Sequence, residues 1–170
     1  LMANTVAVTD QENTAFLMIT VDLQNPPRSF HPQLFKSIEE VTGVPAENIY
    51  ITATHTHNAP STGSSSNGDV QDYRIFLFNQ LVKGAMEAMA DRAPSTMKTG
   101  SFDTQGMNWS RHYYYFDENG EKQYYGDQFG NKPSGVTGYR VRQGDPTMHM
   151  VSFERTGKQP IIIVNWRAHP

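Results

Sequence analysis

The chain has 170 residues, no cysteine and a formal charge of −3, its 14 basic and 17 acidic residues interspersed. That length fits one domain or part of one; the missing thiols exclude disulfide staples, thiolate zinc sites and cysteine nucleophiles. The lack of a basic face argues against nucleic acid or an anionic membrane as partner.

No run reaches the roughly 18 apolar residues of a membrane span. The start Leu1-Met2-Ala3-Asn4 lacks the charged region and apolar core of a signal peptide. No transmembrane segment is therefore expected, and a soluble chain, secreted or cytoplasmic, is.

Residues 3–9 and 15–23 predict a β-hairpin around the turn Asp10-Gln11-Glu12-Asn13. Pro26-Pro27 breaks the chain, and Pro32 opens a helix whose apolar Leu34, Phe35, Ile38 and Val41 keep helical spacing up to the stop signals Gly43 and Pro45. The apolar run Asn48-Ile49-Tyr50-Ile51-Thr52-Ala53-Thr54 predicts the next strand, ending in His55-Thr56-His57. Strand, helix and strand in this order predict an α/β unit, in which ligands sit beyond the carboxyl ends of the strands.

The small polar segment from Asn58 to Gly68 predicts a loop beside the site. Asp69 is the expected N-cap of the longest helix, whose stripe is Val70, Tyr73, Leu77, Leu81, Gly84 and Ala88. From Ser95 to Gly144 the chain is rich in glycine and tyrosine, with a hairpin signal on either side of Asp117-Glu118-Asn119-Gly120. This reads as a β excursion from the main sheet. Residues 147–154 and 161–166 predict two more strands, the second apolar on both faces and therefore expected to be central. The fold class is α/β, a mixed sheet flanked by helices with a tyrosine-rich excursion, and no internal repeat or linker interrupts it.

Two apolar strands thus end in histidine: His55 and His57 after one, His169 after the other. A period of two along a strand puts the first pair on one face. Neutral imidazole is a zinc ligand, and a catalytic site keeps a position for water. Either all three histidines bind the metal, or His55 and His169 do while His57 contacts the bound water or developing charge. Arg111, in Asn108-Trp109-Ser110-Arg111-His112, is a candidate donor to an oxyanion; its plain alternative is a surface guanidinium stacked on Trp109 or Tyr113. His149 reads as a strand residue and His31 as a helix-entry residue, while His112 fits either role.

Three segments taken together carry a resemblance: Thr42-Gly43-Val44-Pro45-Ala46-Glu47-Asn48-Ile49, Thr54-His55-Thr56-His57-Asn58-Ala59-Pro60 and Val164-Asn165-Trp166-Arg167-Ala168-His169-Pro170. The chain resembles the catalytic domain of the neutral/alkaline non-lysosomal ceramidases, which hydrolyse the amide of N-acyl sphingosines with one zinc ion. The resemblance implies that a zinc-bound water attacks the carbonyl of a small-molecule or lipid amide. It makes His55 and His169 the metal ligands and His57 a contact to the water or substrate oxygen, and Arg111 a group polarising the carbonyl. It also implies that a glutamate and a tyrosine farther along a longer chain complete the metal site, so that 1–170 is the N-terminal portion of the catalytic domain. Asn58-Ala59 stand where the family has Ser-Gly, which implies a differently shaped loop and different acyl-chain access; Arg167 stands where the family has an apolar residue, which implies a polar or acidic substrate rather than ceramide itself. An ester, a different amide, or a non-catalytic binding role on the same fold are the alternatives.

Overall fold

The computed structural model describes residues 1–63, 66–108, 112–126, 139–141 and 144–168. The chain divides into two compact units, Leu1–Ala93 and Pro94–His169.

In the first unit β1 (Ala3–Thr9) and β2 (Ala15–Val21) form the predicted antiparallel hairpin, and β3 (Ile49–Ala53) lies parallel to β2 in a sheet of order β1-β2-β3. A parallel neighbour requires a crossover, and α1 (His31–Thr42) supplies it. Strand alternation puts Leu17, Ile19 and Val21 on one face of β2, where they are all but fully buried. They share one core with Leu34 and Ile38 of α1, with Ile49 and Ile51 of β3, and with Leu77, Leu81 and Ala85 of α2 (Gly68–Ala90). The unit is an α/β layer pair, the sheet mixed and both helices packed into its buried face.

The helix ends follow local chemistry. Gly43 takes the left-handed conformation, φ 72°, and its N–H closes on the Glu39 carbonyl at 2.8 Å, stopping α1. Val41, expected on the core stripe, is exposed, and the buried residues of α1 are Leu34 and Ile38. The cap of α2 is Asn67 rather than the expected Asp69: the Asn67 side-chain oxygen accepts from the Asp69 N–H at 2.8 Å. Asp69 instead sits in the first turn, where a carboxylate favours the helix dipole.

In the second unit β4 (Ser95–Asp103), β8 (Thr147–Arg155) and β9 (Ile161–Asn165) make an antiparallel sheet of order β4-β8-β9. β5 (His112–Phe116), β6 (Lys122–Gly126) and β7 (Tyr139–Val141) make another of order β6-β5-β7. The second of these contains the predicted tyrosine hairpin, its turn fixed by Asp117, whose Oδ1 accepts the N–H groups of Asn119 and Glu121 at 3.0 and 2.9 Å. Hydrogen bonds from Gln123 and Glu121 hold the Asp117 carboxyl below its usual range.

β9 departs from expectation. Among the described residues it pairs with β8 alone, so β8 is the central strand, and Ile162 and Val164 of β9 are about half exposed. An apolar run reports that two faces tend to be covered. It carries no information on which backbone neighbours the strand has. β4 was not legible either, since Thr-, Lys- and Gly-containing 95–103 lacks an apolar alternation.

Candidate functional site

The site candidates of the first unit stand where β2 and β3 end side by side. β3 stops at Ala53, two residues before His55, so the strand pleat does not set the histidine geometry. A backbone kink does. His55 has φ 62°, a left-handed conformation uncommon for a residue with a Cβ. The two imidazoles nevertheless meet, with ring centroids 5.0 Å apart and planes at 89°. His55 is half-buried and His57 exposed.

Neighbouring contacts hold this kink. The Thr54 N–H bonds the Val21 carbonyl at 3.0 Å and its hydroxyl donates to Asp22 Oδ1 at 3.2 Å, tying the end of β3 to the end of β2. Asp22 Oδ2 also accepts the Met2 N–H at 2.9 Å, anchoring the chain start. Beyond the kink, the Thr56 hydroxyl accepts the Asn58 N–H at 3.3 Å and shapes the turn after His57.

The His55 ring lies with Nδ1 2.6 Å from the Gln24 carbonyl oxygen. A carbonyl oxygen only accepts, so Nδ1 carries the proton and, in the neutral ring, Nε2 carries the lone pair. This is the outer contact that orients metal-binding histidines and fixes their tautomer. The donor chemistry at His55 therefore fits zinc. Among the described residues no three His, Asp or Glu side chains are grouped so as to hold an ion; zinc at this place needs ligands besides His55 and His57.

Arg111 and His169 lie outside the described residues. Their approaches in the second unit are described. Asn108 Nδ2 donates to the Asp145 carbonyl at 2.8 Å and to the Arg167 carbonyl at 2.7 Å, so both its N–H groups are used. Arg111 follows Asn108 by three residues and His169 follows Arg167 by two. Thr104, 3% exposed, fastens the same region: its hydroxyl donates to the Pro146 carbonyl at 2.6 Å and accepts the Trp166 indole N–H at 2.8 Å. Arg167, read as an unusual charge next to His169, is paired with Asp145 at 3.3 Å. The Asp145 carboxyl is held below its usual range, first by the Thr147 N–H and hydroxyl and to a lesser extent by Arg167.

His149 is an exposed residue of β8 opposite Ser101 and Asn165, as read, and His31 is the first residue of α1. His112 opens β5. The Gln24 carbonyl and the Asn108 clamp were missed by sequence reasoning. A main-chain acceptor carries no residue signature, and a single asparagine gives no sign of its partners 37 and 59 residues away.

A cavity of about 530 Å³ opens next to the histidine loop, between residues 23–29 after β2 and residues 59–63. Gln24, whose carbonyl holds His55, lies in its wall. Such cavities at the carboxyl ends of parallel strands are where ligands of α/β sheets bind. Searches for known proteins add nothing to this geometry: no family model matches the chain, and no curated protein or solved structure does.

Proposed function

We propose that the protein is a zinc-dependent amide hydrolase of the ceramidase type. The observation that supports this best is the contact of His55 Nδ1 with the Gln24 carbonyl, beyond the ends of a parallel strand pair, which is the kind of outer contact that orients a histidine binding metal through Nε2. In this reading His55 and His169 hold the metal, with further ligands from beyond residue 170. Zinc supplies a Lewis acid and brings the pKa of a coordinated water to about 7.

The chain's own groups then divide the remaining work. His57, exposed and with its ring beside that of His55, exchanges the proton that must leave the nucleophile and reach the departing nitrogen. Arg111 donates to the oxygen on which negative charge develops. Thr54 and Asp22 keep the histidine loop in its kinked form.

The test is turnover of short N-acyl amides by the full-length protein, in competition with peptides and esters. His57→Gln is expected to lower kcat by about 10²-fold or more while zinc content stays at the wild-type level. Unchanged turnover in His57→Gln, or preference for a peptide or ester, contradicts the proposal.

A further inference from the structure

The cavity beside His55 has a chemical character that the hydrolase reading does not use. Its lining mixes short apolar groups, Leu23 and Pro60 among them, with hydroxyls and amides. Among the described residues one charged side chain, Arg28, belongs to that lining, and no carboxylate does. Arg28 has no ion pair among the described residues. Its field is felt nearby: burial first, and Arg28 second, depress the pKa of His31.

The walls are also preformed. Arg74 of α2 donates from Nη2 to the Ser29 hydroxyl at 3.2 Å, and Ser29 donates to the Thr62 carbonyl at 3.1 Å. This relay ties the loop after β2 to the loop after β3 across the cavity and brings a second guanidinium one hydroxyl behind the wall. Arg74 itself sits over the Phe30 ring, 5.9 Å from its centroid. A cavity held open by side-chain contacts binds without first having to be ordered.

We propose that this cavity binds the carboxylate of an anionic amide, so that the substrate is an N-acyl amino acid rather than a neutral lipid amide. A planar, singly charged carboxylate matches one guanidinium through two parallel hydrogen bonds, whereas a doubly charged phosphate asks for more positive charge at the wall. Gln24 lies in the cavity wall and its carbonyl holds His55, so the cavity adjoins the histidine loop; in the proposed binding mode the amine side of the amide faces Arg28. The anion site stands on the cavity itself; its assignment to the amine side of a substrate rests on the hydrolase proposal.

The two are separated by measuring binding without metal. The full chain, stripped of zinc by a chelator, is titrated calorimetrically with N-hexanoylglycine and with its neutral isostere N-hexanoylglycinamide. The carboxylate is expected to bind at least about tenfold more tightly, the preference to shrink as salt is raised, and Arg28→Met to erase it. Arg28 is exposed, and a thermal melt of Arg28→Met checks that the fold is intact. Equal affinities, no binding of either compound, or a preference that survives in Arg28→Met overturns the inference. None of these outcomes depends on zinc, so the hydrolase proposal falls or stands separately on metal content and turnover.

Discussion

His55 and Gln24 are joined across the ends of two parallel strands: the imidazole Nδ1 donates to the main-chain carbonyl over 2.6 Å, while the His55 backbone is held at φ 62°. A residue with a Cβ in the left-handed region costs about 1 kcal/mol relative to glycine. Such strain persists where the surroundings over-determine it, which is characteristic of functional loops.

The strain makes a prediction that separates backbone from side chain. His55→Gly and His55→Ala both remove the imidazole, but only alanine keeps the strained Cβ. His55→Gly is expected to be more stable than His55→Ala by about 1 kcal/mol in urea unfolding. Equal stability would mean that the backbone is not held left-handed there.

Asn108 makes the second prediction. Its amide spends both N–H groups on the Asp145 and Arg167 carbonyls. Asn108→Ala leaves both acceptors without this donor and is expected to destabilise the second unit by about 2 kcal/mol, roughly 1 kcal/mol per bond. Asn108→Asp, which sets a carboxylate against two carbonyl oxygens, should be worse. Denaturant unfolding of the three proteins checks the order; a stable Asn108→Asp contradicts the clamp.

The third prediction concerns pH and has a definite sign. His31 has a folded pKa below its ordinary value of 6.5, because burial and then Arg28 disfavour its charged form. In the window between the folded pKa and 6.5 the unfolded chain binds more protons, so stability rises with pH there. Stability is fully present above the unfolded value and is lost as pH falls through that window towards the folded one. Melting temperatures from pH 8 down to about 5 are expected to fall, with a shallower fall in His31→Gln and in Arg28→Met. An unchanged slope in His31→Gln contradicts the assignment.

Much of the first unit was legible in the sequence because its signals are local. The hairpin around Asp10–Asn13, the proline-opened and glycine-closed α1, and the α2 stripe through Leu77 and Leu81 each follow from spacing and turn chemistry, and all are present. The parallel pairing of β2 with β3 follows from the intervening helix. The second unit was harder. β4 has no apolar period, β9 has too much apolar character to reveal its neighbours, and the Asn108 and Thr104 contacts join segments far apart in sequence.

The histidine pair was found for a reason that the structure changes. Spacing by two brought His55 and His57 to notice as strand neighbours; they meet through a left-handed kink beyond the strand, positioned by Thr54, Asp22 and Gln24. Hydrophobic periodicity reports the regular part of a strand and stops at its end. What a loop does after that depends on main-chain acceptors, which every residue has and no sequence pattern marks.

The most direct measurement is zinc content by elemental analysis of the full-length protein and of His55→Ala and His169→Ala. The account predicts about one equivalent of zinc in the wild type, as for a mononuclear catalytic site, and loss of that zinc in each variant with the fold preserved by circular dichroism. Full zinc occupancy in folded His55→Ala would contradict it.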